Sequence, residues 1–221
     1  MATPTLGALP HIYGGHLGVI LTPISHSRTD GQHWYDIEKI PVWCADNGCF
    51  STTIPFDPEV YLQWLWAMRR HRDRCLFATA PDVVGDAVAT WARSTDWLGA
   101  IRILGYPAAY VAQDGLEHLA IPWERFDWLF IGGSTEWKLS SAVENLIDQA
   151  KRHGKKIHVG RVNSKRRFRK FATMGVDSAD GTFLKFGPDI NLPKLLSWTN
   201  EQYLDLEALC GPDSEDYRRT A

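Results

Sequence analysis

CLFATAPDVVGDAVATWARSTDWLGAIRILGYPAAYVAQDG, residues 75–115, contains two short apolar runs separated by one long amphipathic one. The first run, Cys75 to Ala80, has strand length and stops at Pro81-Asp82. Asp86 to Leu104 reads as a helix and ends at Gly105, and Ala108 to Ala112 is a second strand closed by Gln113-Asp114-Gly115. Two apolar strands joined through a helix need a crossover connection, which pairs strands in parallel, and strands this uniformly apolar are covered on both faces.

The same unit repeats on either side. Upstream, His16 to Thr22 reads as a strand, Ser25 to Lys39 as a polar surface loop with Asp30-Gly31 as a turn, and Pro41 to Asp46 as a strand closed by Asn47-Gly48. Asp57-Pro58 opens a helix with Asp as N-cap and Pro at the first position, and Val60, Trp64 and Met68 follow on one face. Arg69 to Arg74 supplies positive charge near that helix's C-terminal end.

Downstream, a short helix through Leu116 and Leu119 leads to a strand, Trp128 to Ile131, that ends at Gly132-Gly133-Ser134. A helix over about 135–153 is capped by Gly154, and the strand Lys156 to Val159 ends at Gly160. Ser164 caps a basic helix with Phe168, Phe171 and Ala172 inside. Then come a strand within Met174 to Phe183, a helix from Lys194 to Leu209, and a polar tail from Gly211, expected to fray.

Seven strand–helix units predict one domain over 1–221, core about 16–210, with a (β/α)8 TIM-barrel-like fold that is complete or one strand short. An open, doubly wound sheet is the alternative.

Composition is that of an ordinary globular chain, 44% hydrophobic and 23% charged, and the net charge of −2 does not by itself point to nucleic acid. The distribution does: between Lys151 and Lys170 there are ten Lys or Arg and no Asp or Glu. Ten Trp suggest a well-filled core or stacking surfaces. The four Cys (Cys44, Cys49, Cys75, Cys210) have no zinc spacing and the eight His no i, i+4 pair, so no metal site is expected. Reduced thiols and the lack of a signal peptide or of an apolar run near roughly 20 residues predict a cytoplasmic protein without a membrane span.

In a parallel barrel the C-terminal strand ends share the face that carries the chemistry. Here those ends hold Asp46, Asp82, Gln113, Gly132, Gly133, Gly160, Arg161 and Asp180. Asp82 and Gln113 supply acceptors and a donor for a flat heterocycle edge, the glycines leave backbone amides approachable, and Phe50 is placed to stack. That set suits a purine. Asp46 and Asp180 would flank the bond being broken, one as nucleophile and one moving a proton, which replaces a group on a sugar carbon with retention. The alternative for Asp180 and its neighbour Asp177 is structural, one capping a turn and the other pairing with an Arg.

These segments, in this order, resemble the tRNA-guanine transglycosylase (queuine tRNA-ribosyltransferase) family. Ala45-Asp46-Asn47-Gly48-Cys49-Phe50-Ser51 resembles its DSGGFQ segment, Ala80-Pro81-Asp82 the archaeal PPD, and Tyr110-Val111-Ala112-Gln113-Asp114-Gly115 its VVQG. Phe130-Ile131-Gly132-Gly133-Ser134 is similar to its guanine-binding glycine strand, His158-Val159-Gly160 to its MGVG, and Gly175-Val176-Asp177-Ser178-Ala179-Asp180 to the GVDMFDC segment carrying its nucleophile.

The resemblance implies Asp180 as nucleophile on C1′ and Asp46 as general acid/base. Asp177 is the alternative nucleophile, because Asp177-Ser178-Ala179 also resembles the archaeal FDSA. Asp82, Gln113, Gly132, Gly133, Val159 and Gly160 would surround the guanine or deazaguanine edge, with Phe50 against the ring. Asn47, Cys49 and Ser51 depart from the family pattern, and its zinc subdomain, archaeal RNA-binding domains and PTR-type basic segment have no counterpart.

A minimal barrel of this kind resembles the phage and bacterial relatives that insert 7-deazaguanines such as preQ0 into DNA. The implied activity is that of a pentosyltransferase needing no cofactor, with DNA favoured over tRNA as polymer, a free 7-deazaguanine as second substrate, and the host cytoplasm as location for a phage-encoded member. A homodimer or an accessory subunit is compatible with the family. Arg161, Lys165, Arg166, Arg167, Arg169 and Lys170 are placed to hold phosphates beside the pocket, with a solvated, salt-bridged helix face as the alternative. Two other functions stay open: a barrel enzyme for a small phosphorylated metabolite or nucleoside, and a non-catalytic transglycosylase-like partner.

Overall fold

The computed structural model describes residues 5–26, 35–50 and 55–210. The expected Asp30-Gly31 turn, Ser51 and the polar tail 211–221 lie outside the described residues. Seven strands form one sheet: β1 (Val19–Leu21), β2 (Trp43–Ala45), β3 (Cys75–Thr79), β4 (Ala108–Ala112), β5 (Trp128–Ile131), β6 (Lys156–Val159) and β7 (Ser178–Ala179). All adjacent pairs are parallel and the spatial order equals the chain order. A doubly wound sheet reverses direction at a switch point, so this order excludes it. The fold is an incomplete (β/α) barrel, open between β1 and β7 among the described residues.

The helices are α1 (Leu9–Tyr13), α2 (Pro23–His26), α3 (Pro58–Met68), α4 (Ala87–Ile103), α5 (Thr135–Lys138), α6 (Ser141–Arg152), α7 (Lys165–Thr173) and α8 (Pro188–Cys210). Side-chain caps fix several starts: Asp57 Oδ1 accepts from Glu59 N at 2.9 Å, and Asp86 Oδ1 from Ala89 N at 2.9 Å. Each such cap stabilises its helix by about 1 kcal/mol. α8 packs against α7 and the N-terminal turn Leu6–Ala8. No helix among the described residues is long and apolar enough to cross a membrane.

Three expectations shift. In α3 the buried face is Tyr61, Trp64, Leu65 and Met68, spaced i, i+3, i+4, i+7 as the 3.6-residue period requires, while Val60 lies beside that face and is exposed. The expected 135–153 helix is two, α5 and α6: Ser140 Oγ donates to Trp137 O at 2.7 Å, a local bond that competes with helix continuation. The last helix starts at Pro188 rather than Lys194 and contains Pro193, its first turn held by Asn191 Nδ2 donating to Phe183 O at 2.9 Å and Phe186 O at 2.7 Å.

The period of two along each strand sends alternate side chains to opposite layers. One face meets the helices in the main core. The other, concave face carries Cys44, Phe77, Ala109, Val111, Trp128 and Phe130. Phe77 lies 5.0 Å from Trp128 and 5.0 Å from His158, ring to ring, and His158 lies 4.5 Å from Phe130. These rings fill the barrel interior beside the strands that carry them. Cys44, Cys49 and Cys75 are free thiols, the first and last buried.

Candidate functional site

At the C-terminal ends of the strands lies a cavity of about 250 Å³, and Asp46, Asp82 and Asp180 all line it. Asp46 leaves β2 with its N–H on Leu21 O at 2.8 Å and accepts at Oδ1 from Thr79 Oγ1 at 3.3 Å. Burial, then the charges of Asp82 and Asp180, push its pKa from 3.8 up to about 7, only partly opposed by the Thr79 bond. Burial is the first influence on Asp180 also, and it too pushes upward. Donors outweigh it: His158 Nε2 lies 3.5 Å from Oδ2 and Arg161 N donates to Oδ1 at 2.6 Å, so Asp180 falls below the usual carboxylate range.

His158 is fully buried, and burial lowers its pKa against the pull of Asp180. Burial favours the neutral imidazole, which donates Nε2–H to the carboxylate and accepts at Nδ1 from Ser178 Oγ at 2.7 Å, while the charge of Asp180 favours the protonated ring. Register brings these groups together: His158 pairs with Ser178 across β6 and β7, and Ser178 and Asp180 lie two apart on one strand face.

Asp177 is elsewhere. It precedes β7 and its carboxylate accepts from Lys156 Nζ and Ile157 N, both at 2.8 Å, at the N-terminal end of the sheet. It does not line the cavity, so it is removed as the alternative nucleophile; a two-residue strand separates its flanking residues to opposite ends.

Asp82 is held from two sides. Asn47 Nδ2 reaches Oδ1 at 3.3 Å and Gln113 Nε2 donates to Oδ2 at 2.6 Å. Burial nevertheless leaves its pKa raised. Gln113 lines the cavity but is not a free reader of a ligand edge: its Oε1 accepts from Gly85 N at 2.9 Å and Gly133 N at 3.0 Å. Its carbonyl is occupied and its amide aims Asp82.

The double glycine also differs from expectation. Gly132 N donates to Ala112 O at 2.9 Å and Gly133 N to Gln113, so neither amide is open to a ligand. A Cβ on Gly132 would lie 2.9 Å from Val111 Cγ1, and one on Gly133, at φ +62°, would lie 2.4 Å from Trp137 Cε3. The glycines are required by the protein's own packing and leave the cavity wall bare. Gly160 lines the cavity, where a Cβ would lie 2.8 Å from Phe130. Val159 does not: strand alternation turns it into the core beneath the helices.

Phe50 stands exposed at the cavity mouth with the Arg161 guanidinium 5.2 Å from its ring centroid. Arg161 has φ +59°, rare outside glycine, and its Nη2 donates to Gly133 O. The basic helix is partly neutralised. Lys165 and Arg169 pair with Glu201 at 2.7 and 2.8 Å, and Lys170 with Glu144 at 2.7 Å. These acids come from α8 and α6, so Lys165, Arg169 and Lys170 fit a salt-bridged face rather than phosphate contacts. The side chains of Arg166 and Arg167 have no hydrogen-bond or ion-pair partner among the described residues.

Sequence reasoning missed His158, Ser178, Asn47 and Lys138. His158 had a signal, a lone imidazole in an apolar strand opposite Asp180's own strand; Lys138, on the short polar α5, had none. Among the described residues no group of three or more His, Cys, Asp or Glu could hold a metal ion.

No family model and no curated protein matches the chain. Among solved structures it is similar to a protein described as a glycerophosphoryl diester phosphodiesterase of Silicibacter pomeroyi DSS-3, at 15% identity and TM-score 0.47, over 76% of this chain and 52% of that one. It is also similar to ligand-free tryptophan synthase from M. tuberculosis, at 18% identity and TM-score 0.45, over 73% and 59%. The chain thus spans little more than half the length of either.

Proposed function

We propose that this chain is an enzyme, a base-exchange transglycosylase that replaces guanine in a polynucleotide, DNA in preference to tRNA, with a 7-deazaguanine such as preQ0. The observation that carries the reading is the pair of carboxylates held in opposite protonation tendencies around one cavity: Asp180 lowered by His158 and the Arg161 amide, Asp46 raised to about 7 by burial and its acidic neighbours. Two carboxyl groups with separated pKa values are what nucleophile and proton carrier require. The cavity, about 250 Å³, is smaller than the roughly 300–1,000 Å³ typical of drug-sized ligands, which suits a single heterocycle.

The target nucleotide turns out of the stack so that its base enters the cavity. The Asp82 carboxylate, aimed by Asn47 and Gln113, accepts from the N–H groups of the guanine edge, and Phe50 covers the ring at the mouth. An Asp180 oxygen forms a bond to C1′, the C1′–N9 bond breaks, and Asp46 protonates the departing base. The 7-deazaguanine then gives its N9 proton to the Asp46 carboxylate, N9 bonds to C1′, and the Asp180 carboxylate is restored. A scaffold subunit has no use for this separation of pKa values. A small phosphorylated metabolite is the second reading, favoured by a cluster of cations beside the cavity.

The test is exchange of radiolabelled guanine into guanine-containing DNA and, separately, tRNA, with Asp180→Ala and Asp46→Ala beside the wild type. Exchange into DNA that Asp180→Ala abolishes is expected. Exchange into tRNA alone overturns the polymer; no exchange into either, with deazaguanines also inert, overturns the activity.

A further inference from the structure

Lys138 is 4% exposed, yet among the described residues its ammonium has one hydrogen-bond acceptor, Gly160 O at 2.7 Å, for three N–H groups. A buried ammonium is costly without a counter-charge. The two carboxylates whose charge acts on it are committed: Asp180 to His158 and the Arg161 amide, Asp114 to Ser134 N and Oγ at 2.7 and 2.6 Å. No carboxylate is ion-paired with Lys138 among the described residues. Two guanidiniums, Arg161 and Arg167, lie close enough to act on it, and the Arg167 side chain is itself unpaired among the described residues. Burial first, and then Arg161, depress the Lys138 pKa to about 8.

Lys138, Arg161 and Arg167 border a small cleft of about 10 Å³, whose remaining wall is largely apolar, from Leu139, Val162 and Phe171. That volume takes one water-sized group. The cleft shares Gly160 and Arg161 with the main cavity, so a ligand seated in the cavity has this notch at its side.

We propose that Lys138, Arg161 and Arg167 form a subsite for one oxygen of a phosphate belonging to the nucleotide whose base enters the cavity. For the identity of that ligand the subsite rests on the polynucleotide reading above; its chemistry, a phosphate ester, is shared with the small-metabolite reading. Lys138 supplies the two N–H groups left over from Gly160, and the phosphate supplies a directly bonded anionic partner in addition to the more distant charges of Asp180 and Asp114. Phosphorus itself stays at the surface, since the cleft admits only the oxygen.

The test compares deoxyguanosine with deoxyguanosine 3′,5′-bisphosphate by calorimetry, in the wild type, Lys138→Met and Arg167→Gln. Wild type is expected to prefer the bisphosphate by about tenfold or more, the value of one charge-assisted hydrogen bond. Lys138→Met and Arg167→Gln should each bring that preference toward unity while deoxyguanosine binds as before. Arg167→Gln, at a partly exposed position, carries the test if Lys138→Met does not fold. No preference in the wild type, or a preference untouched in the folded variants, overturns the subsite whatever the exchange assay gives. A preference lost in the variants without guanine exchange into DNA or tRNA upholds the subsite, overturns the base-exchange reading, and assigns the phosphate to a small ester.

Discussion

Asp46→Asn should make the protein more stable at alkaline pH, and by an amount that depends on pH. The carboxyl is buried and shares its cavity with Asp82 and Asp180, and its pKa in the fold is about 7 against an ordinary 3.8. Because the folded-state value is the higher one, the unfolded chain binds fewer protons between about pH 4 and 7. Stability therefore falls as pH rises through that window and levels off above it. A rise of roughly three units at about 1.4 kcal/mol per unit sets an upper value of about 4 kcal/mol. Water in the open cavity screens part of it, leaving about 2 to 4 kcal/mol.

Asn keeps the oxygen that accepts from Thr79 and removes the ionisation. Urea unfolding followed by tryptophan fluorescence at pH 4.5, 6 and 8 measures it. The variant's advantage over wild type should grow by about 1.5 to 3 kcal/mol from the lowest pH to the highest, or about 3 to 12 °C in melting temperature for a domain of this size. An advantage constant within about 0.5 kcal/mol across the range, or a variant less stable at pH 8, refutes the electrostatic account of the site.

Asp180→Asn should lower guanine exchange by about a thousandfold or more, whereas Asp177→Asn should leave exchange within a few-fold and lower stability by about 1 kcal/mol, read by the exchange assay and melting. His158→Phe removes a donor to Asp180, so the Asp180 pKa rises and the acid limb of the pH–rate profile moves to higher pH; an unmoved limb would show that His158 only fills space. Gly133→Ala places a methyl 2.4 Å from Trp137 at φ +62°, and should cost about 1 to 3 kcal/mol in urea unfolding.

The strands and helices were legible because a sheet covered on both faces writes each strand as an apolar run. Strand order was not, since the same alternation builds a sequential barrel or a sheet that reverses; the order β1 to β7 is a property of packing. The carboxylates at the strand ends were legible as a set. Which of Asp177 and Asp180 faces the cavity was not, because that depends on β7 being only two residues long. The fate of the basic helix depended on Glu201 and Glu144, which reach it from α8 and α6. No local charge pattern contains those partners. Gln113 and the two glycines look open to a ligand in the sequence because composition shows a donor or a bare backbone without showing what already occupies it.

Three aspartates at one end of a barrel would repel one another into a common raised pKa if burial alone acted on them. What separates them is the unequal supply of donors. Asp46 receives a 3.3 Å bond from Thr79 and faces two like charges, so it holds its proton longest. Asp180 receives the Arg161 amide, delivered by a left-handed backbone turn that few residues other than glycine adopt, and a buried imidazole fixed from behind by Ser178. The same Arg161 sends its guanidinium to Gly133 O and toward Phe50 at the mouth. Strain at one residue thus fixes both the charge of Asp180 and the entrance above it, so a substitution at Arg161 that relaxes the turn should disturb acid–base behaviour and ligand binding together, while Arg161→Gly, which tolerates the turn and loses the side chain, should spare the amide bond to Asp180 and disturb ligand access and phosphate binding.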